Sequence, residues 1–146
     1  MSLTEPLHPL VQYVPAIAAE WEVDAPGAVW QEIDATLCFV DISGFTNLSE
    51  RLAARGRIGA EELTEVLSRV FSSMISLAHE RDGGLIKFGG DALLLLFRGD
   101  DHVRQACSAA VEMRAALRES ARIPTSVGRV PLKMSVGLHT GPCLLY

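Results

Sequence analysis

Lysine is nearly absent from this chain. Lys87 and Lys133 are the only two among 13 basic residues, which face 18 acidic ones for a formal net charge of −5. Such a balance argues against a domain that binds nucleic acid by charge. Long apolar runs are missing too. None approaches the ~20 residues a membrane span requires, so no membrane partner is expected. No basic stretch followed by a long apolar core opens the sequence, so no secretory signal is visible. Cys38, Cys107 and Cys143 are odd in number, far apart and without CxxC or zinc spacing. They are expected to be reduced, buried thiols and not a disulfide framework, which suggests the cytoplasm. No internal repeat or low-complexity tract occurs. What remains is 146 residues, 49% hydrophobic, enough for one domain with a core of its own.

The most informative stretch is residues 82–97, DGGLIKFGGDALLLLF. It reads as strand (85–88), tight turn (Gly89-Gly90-Asp91) and strand (92–97). Glycines supply the positive φ of a tight hairpin turn. They also let backbone approach a ligand closely beside the acid. On this stretch alone, Asp91 as an ordinary turn residue is an equal alternative.

Residues 1–34 form a distinct N-terminal arm, broken by Pro6, Pro9, Pro15 and Pro26. Residues 10–21 could make a short helix, and Trp21 and Trp30 are expected to pack the arm onto the body. From residue 35 the chain is regular. TLCFV at 36–40 reads as a buried strand ending at Asp41, and Ser43-Gly44 as a turn. Phe45, Leu48 and Leu52 mark one face of a short helix, punctuated by Gly56 and Gly59. Residues 60–80 carry helical apolar spacing from Leu63 through Val66, Val70 and Met74 to Ala78. Asp101 can cap a third helix to about Glu119, with Val103, Ala106, Cys107, Ala110, Val111 and Leu117 inward. Residues 120–130 read as loop and 132–138 as a fourth strand, after which Gly141-Pro142 is expected to turn the chain.

The order β-α-α-β-β-α-β is that of an α+β, ferredoxin-like split βαβ domain over residues 35–146. Right-handed crossovers place the helices on one face of a four-stranded antiparallel sheet. The first strand then lies beside the strand that follows the glycine turn. Asp41 and Asp91 meet at one sheet edge. Two carboxylates are hard oxygen ligands of the kind magnesium takes together with phosphate oxygens. The turn Ile42-Ser43-Gly44-Phe45-Thr46 adds free amides at a helix start, a natural phosphate site.

FVDISGFTNLSERL at 39–52, GGLIKFGGDALLLLF at 83–97 and VPLKMSVGLHTGP at 130–142 resemble the signature blocks of class III nucleotidyl cyclases. The branch is that of soluble adenylyl cyclases and their bacterial relatives. The resemblance implies Asp41 and Asp91 as ligands of two Mg2+ (or Mn2+), helped by the Ile42 carbonyl. It implies Ser43, Gly44, Phe45 and Thr46 as triphosphate holders and Lys87 as the base-selecting residue, with Gly89 and Gly90 shaping the turn. The implied reaction is ATP to cyclic AMP and pyrophosphate. It further implies a second cyclase domain as partner, as a homodimer or an intramolecular pseudo-dimer, since each site lies between two domains. The asparagine and arginine that meet transition-state charge in that family follow the strand near Cys143. The domain is therefore expected to be C-terminally incomplete, and inactive alone.

Lys87 stands out from the residues themselves as well. A lysine on a buried-looking strand needs a polar partner, which adenine N1 or a carboxylate would supply. Otherwise its stem covers apolar surface while its head reaches water. Arg51, Arg55 and Arg57 read as a solvated helix end. A diguanylate cyclase shares the palm and a GGD turn, but Ala92-Leu93 replaces that family's acid-aromatic pair. A non-catalytic, nucleotide-binding or regulatory module is the other alternative.

Overall fold

A computed structural model of the chain describes Pro15, Ile17, Ala18, Glu20 and residues 26–120, 124–129 and 131–146. Seven elements follow in order: β1 (Gln31–Ser43), α1 (Phe45–Ala53), α2 (Arg57–His79), β2 (Gly83–Gly89), β3 (Ala92–Arg98), α3 (His102–Ser120) and β4 (Lys133–Leu145). The four strands form one sheet in the order β2-β3-β1-β4, with every neighbouring pair antiparallel. This is the expected split βαβ sheet with β1 at its centre.

The core follows from alternation on β1. Cys38, Val40 and Ile42 are fully buried on the helix-facing side, where Leu93, Leu95 and Phe97 of β3 join them. Phe45, Leu48 and Leu52 of α1 and Val66, Val70, Met74 and Ala78 of α2 close that side. Leu63, Leu67, Phe71 and Ile75 pack at its margin, as the helical spacing requires. Burial, and to a lesser degree the nearby Cys107, push the Cys38 thiol up to about 11, so it stays protonated at neutral pH. Cys107 is exposed and Cys143 only partly covered, so burial of all three thiols is not observed.

Several expectations are corrected. β1 is longer than 36–40, because β4 pairs with all of it, from Gln31↔Leu145 to Ser43↔Lys133. Gly141-Pro142 does not turn the chain, since both residues stay in β4 opposite Ala35 and Asp34. Proline is tolerated there because β4 is an edge strand. α2 starts at Arg57 after Gly56, and Gly59 lies inside it. The buried stripe of α3 is His102, Ala106, Ala109, Met113 and Leu117, while Val103 and Val111 are 47% and 69% exposed. These five residues follow one another at three- and four-residue spacing along one face of the helix, and Val103 and Val111 fall outside it. Trp30, expected to pack against the body, is 61% exposed. Most of the helix expected over residues 10–21, and Trp21 itself, lie outside the described residues.

Candidate active site

The site is built at one end of the sheet. The β2–β3 connection is two residues, Gly90-Asp91, between the paired Gly89 and Ala92. Gly90 has φ +70°, the positive value a type II′ hairpin demands at its first position. Of the two glycines expected to supply positive φ, Gly90 alone does so. Asp41 lies directly opposite Ala92, and the Ile42 amide donates to the Asp91 carbonyl at 3.2 Å. Asp41 on β1 and Asp91 in the turn that leads into β3 therefore lie one residue pair apart.

Aromatic packing fixes the hairpin. A register shift between Leu85 and Lys87 turns Phe88 to the helix side, where its ring meets Phe71 edge-on at 5.7 Å. Phe71 in turn packs on Phe45 at 5.8 Å. Such contacts add ~0.5–1.5 kcal/mol each beyond area burial and tie the turn to the start of α1. Phe45, Thr46, Gly90 and Asp91 share a cavity of about 300 Å³ with Ser49 and the α2 residues Leu63, Leu67 and Phe71.

The turn into a helix at Ser43-Gly44 is formed as expected. Gly44 is the N-cap of α1 at φ +108°, with no side-chain cap and no acid in the first turn. A Cβ on Gly44 would stand 2.8 Å from the Pro131 carbonyl oxygen, so only glycine permits this approach. The first amides of the helix thus lack an internal acceptor at the cap, the condition for binding an anion.

Among the described residues, neither the Asp41 nor the Asp91 carboxylate takes part in a salt bridge or side-chain hydrogen bond. No group of three or more His, Cys, Asp or Glu side chains forms a metal cage among those residues. Two free carboxylates beside free amides fit a hard cation that takes one or two carboxylates and completes its shell with phosphate and water.

Lys87 is placed differently. It lies on the edge strand β2, opposite Leu94, which is opposite Phe39 of β1. It shares the helix-free face of the sheet with Asp41, but roughly 12 Å away by strand and residue spacings. Lys87 is exposed, so the reading of its strand as buried is corrected and the alternative, a lysine whose head reaches water, is the one observed in this chain. Arg51 and Arg55 are not simply solvated. Arg51 donates to the Val127 carbonyl and Arg55 to that of Ser126 at 2.7 Å, pinning residues 124–129 against α1. Glu62 accepts from the Ser126 amide and hydroxyl at 2.7 and 2.5 Å, which holds its carboxyl below the usual range. Nothing in local sequence pairs residues this far apart. A larger cavity, about 450 Å³, lies at the other end of β2–β3 by Gly83, Gly84 and Arg98, away from both acids.

Residues 30–145 match the family of adenylate and guanylate cyclase catalytic domains. The chain belongs to this family. It is 42% identical over 67 residues to adenylate cyclase type 10 of Homo sapiens, an alignment covering 44% of this chain and 4% of that protein. The crystal structure of the guanylyl cyclase Cya2 superposes with TM-score 0.65 and 31% identity, over 78% of this chain and 57% of that one. The adenylyl cyclase CyaB from P. aeruginosa superposes with TM-score 0.65 and 28% identity, over 80% and 60% of the two chains. The cyclase chain thus spans a small part of the first relative and well under two thirds of the two solved ones. No helix of the described residues is long and apolar enough to cross a membrane.

Proposed function

We propose that this cyclase domain converts ATP to 3′,5′-cyclic AMP and pyrophosphate in a metal-dependent reaction at an interface with a second cyclase domain. The observation that carries the metal assignment is the placement of Asp41 and Asp91 one residue pair apart with no partner among the described residues. Asp41, Asp91 and the Ile42 carbonyl would hold two Mg2+ or Mn2+. Bound there, the metals would lower the pKa of the ribose 3′-hydroxyl and neutralise charge developing on the phosphate. The uncapped amides at residues 43–46 orient the triphosphate. In the reaction the 3′-oxygen bonds to the α-phosphorus, its proton passes to water, and the bond to the β-phosphate breaks with its electrons leaving on pyrophosphate.

Preference for ATP over GTP is assigned to Lys87. An ammonium donates, and adenine N1 accepts, whereas guanine N1 carries a hydrogen. The mismatch costs ~1–3 kcal/mol once the contact is covered from water. Lys87 stands well apart from Asp41 on the same open face, and Phe39, two residues before Asp41 on β1, is 51% exposed. A second cyclase domain laid on that face would shield Lys87 and let it serve the acids of its partner.

The test is cyclic nucleotide formation from ATP and from GTP, with manganese, by the protein that carries this chain. ATP is expected to be preferred at least tenfold, and Lys87→Glu to erode that preference. Equal use of GTP would remove the role of Lys87, and undiminished turnover in Asp91→Asn would remove the metal assignment.

A further inference from the structure

Lys133 is the other lysine of the chain, and nothing above gives it a task. It opens β4 opposite Ser43, the last residue of β1. Opposed residues share a sheet face, so Lys133 and Ser43 lie on the open face with Asp41, two residues along β1. Opposed positions are ~5 Å apart and diagonal ones ~7–8 Å, within reach of a long side chain. Lys133, Ser43, Gly44, Asn47 and Pro131 line a cavity of about 360 Å³ beside the uncapped start of α1. The close approach of Gly44 to the Pro131 carbonyl places the entry to β4 against this turn. Among the described residues no carboxylate lies within ion-pair distance of Lys133, although the chain is acidic overall.

We propose that Lys133 binds the outer phosphates of the polyphosphate substrate, the end that departs as pyrophosphate. The proposal rests on the assignment of Asp41, Asp91 and the 42–46 turn to metal and phosphate. Backbone amides give directed hydrogen bonds but little net charge. An ammonium supplies a full positive charge and three donors. Negative charge grows on the outer phosphates as the bond to the α-phosphorus breaks, and a cation in this cavity stabilises it there. Serine and asparagine, the polar side chains beside it, cannot supply that charge.

The experiment is equilibrium binding of manganese pyrophosphate, manganese ATP and manganese alone to this chain, by calorimetry and Mn2+ paramagnetic resonance. Pyrophosphate lacks base and ribose and isolates the phosphate contact. Lys133→Gln is expected to weaken both phosphate ligands about ten- to a hundredfold, the range for a charged hydrogen bond. Lys133→Arg should keep most of the affinity, and manganese alone should bind all three proteins alike. Lys133 is exposed, so melting temperature should not move. If Lys133→Gln binds manganese pyrophosphate like the wild type while Asp91→Asn does not, the role of Lys133 is overturned and the metal assignment stands. If Asp91→Asn also binds like the wild type, the metal assignment fails and this inference falls with it. A Lys133→Gln protein weakened equally toward manganese alone would overturn a phosphate-specific role.

Discussion

Two regions of β1, its middle and its C-terminal end, treat polar groups in opposite ways. In the middle Thr36 is 1% exposed, and its hydroxyl is 2.8 Å from His102 Nδ1 and 2.8 Å from the Thr140 hydroxyl. His102 Nε2 lies 3.8 Å from an Asp34 carboxylate oxygen. The buried Thr36 and His102 are hydrogen-bonded to one another and Thr36 to Thr140, joining β1, β4 and α3. At the C-terminal end Asp41 and Asp91 find no such partner among the described residues, and α1 begins without a side-chain cap. Satisfied buried groups specify a fold. Polar groups left unanswered at a strand end and a helix start are available to a ligand. One strand thus carries a structural middle and a reactive end, and the difference is legible as hydrogen-bond accounting.

The sharpest way to break this comparison is to exchange what each region does. Asp91→Asn should lower manganese ATP affinity and cyclic nucleotide formation by ~10²-fold or more, while thermal stability stays unchanged. Loss of stability instead, seen by thermal melting, would make that end structural as well. His102→Ala should do the reverse. It strands the buried Thr36 hydroxyl's partner network and should cost ~1–3 kcal/mol in denaturant unfolding, with manganese affinity intact.

Gly44→Ala tests where the regions differ in rigidity. The added methyl meets the Pro131 carbonyl at a φ that side chains avoid, so ~1–3 kcal/mol of stability should be lost together with phosphate binding. Phosphate binding at the wild-type level would show that the turn does not need its present shape. The smallest effect concerns Glu62. Its carboxyl titrates below the ordinary range because Ser126 donates to it twice. The stabilisation is therefore complete above the ordinary glutamate range, near pH 4–4.5, and is lost as pH falls through the lowered value. The Ser126 amide resonance should shift in that acid window in the wild type and not in Glu62→Gln.

Much of this was legible in the sequence where periodicity or turn chemistry acts locally. The apolar run of β1, the helical spacing of α2 and the Gly-Gly-Asp turn gave an element order whose right-handed crossovers led to the sheet order, and the sheet order brings Asp41 beside Asp91. The inward face of α3 was not legible, because apolar residues lie on more than one side of that helix and only its packing against the sheet shows that Ala109 and Met113, not Val103 and Val111, are buried. The unbroken run of β4 through Gly141-Pro142 was hidden for a related reason. Turn residues signal a turn only when no partner strand holds them extended, and β1 does so here. The pairing of Ser43 with Lys133 depends on that same long register, so a lysine at the site could not be seen before the strands were aligned. Lys87 was misjudged as buried because its strand reads as apolar, whereas β2 is an edge strand with a register shift.

The central claim is that Asp41 and Asp91 jointly hold the metal that meets the triphosphate. Anomalous diffraction from crystals of this chain grown with manganese and a non-hydrolysable ATP analogue tests it most directly. A manganese peak within about 2.2 Å of oxygens from both carboxylates, with phosphate oxygens against the amides of residues 43–46, is the predicted result. Manganese bound away from either carboxylate, with the analogue ordered elsewhere, would contradict it.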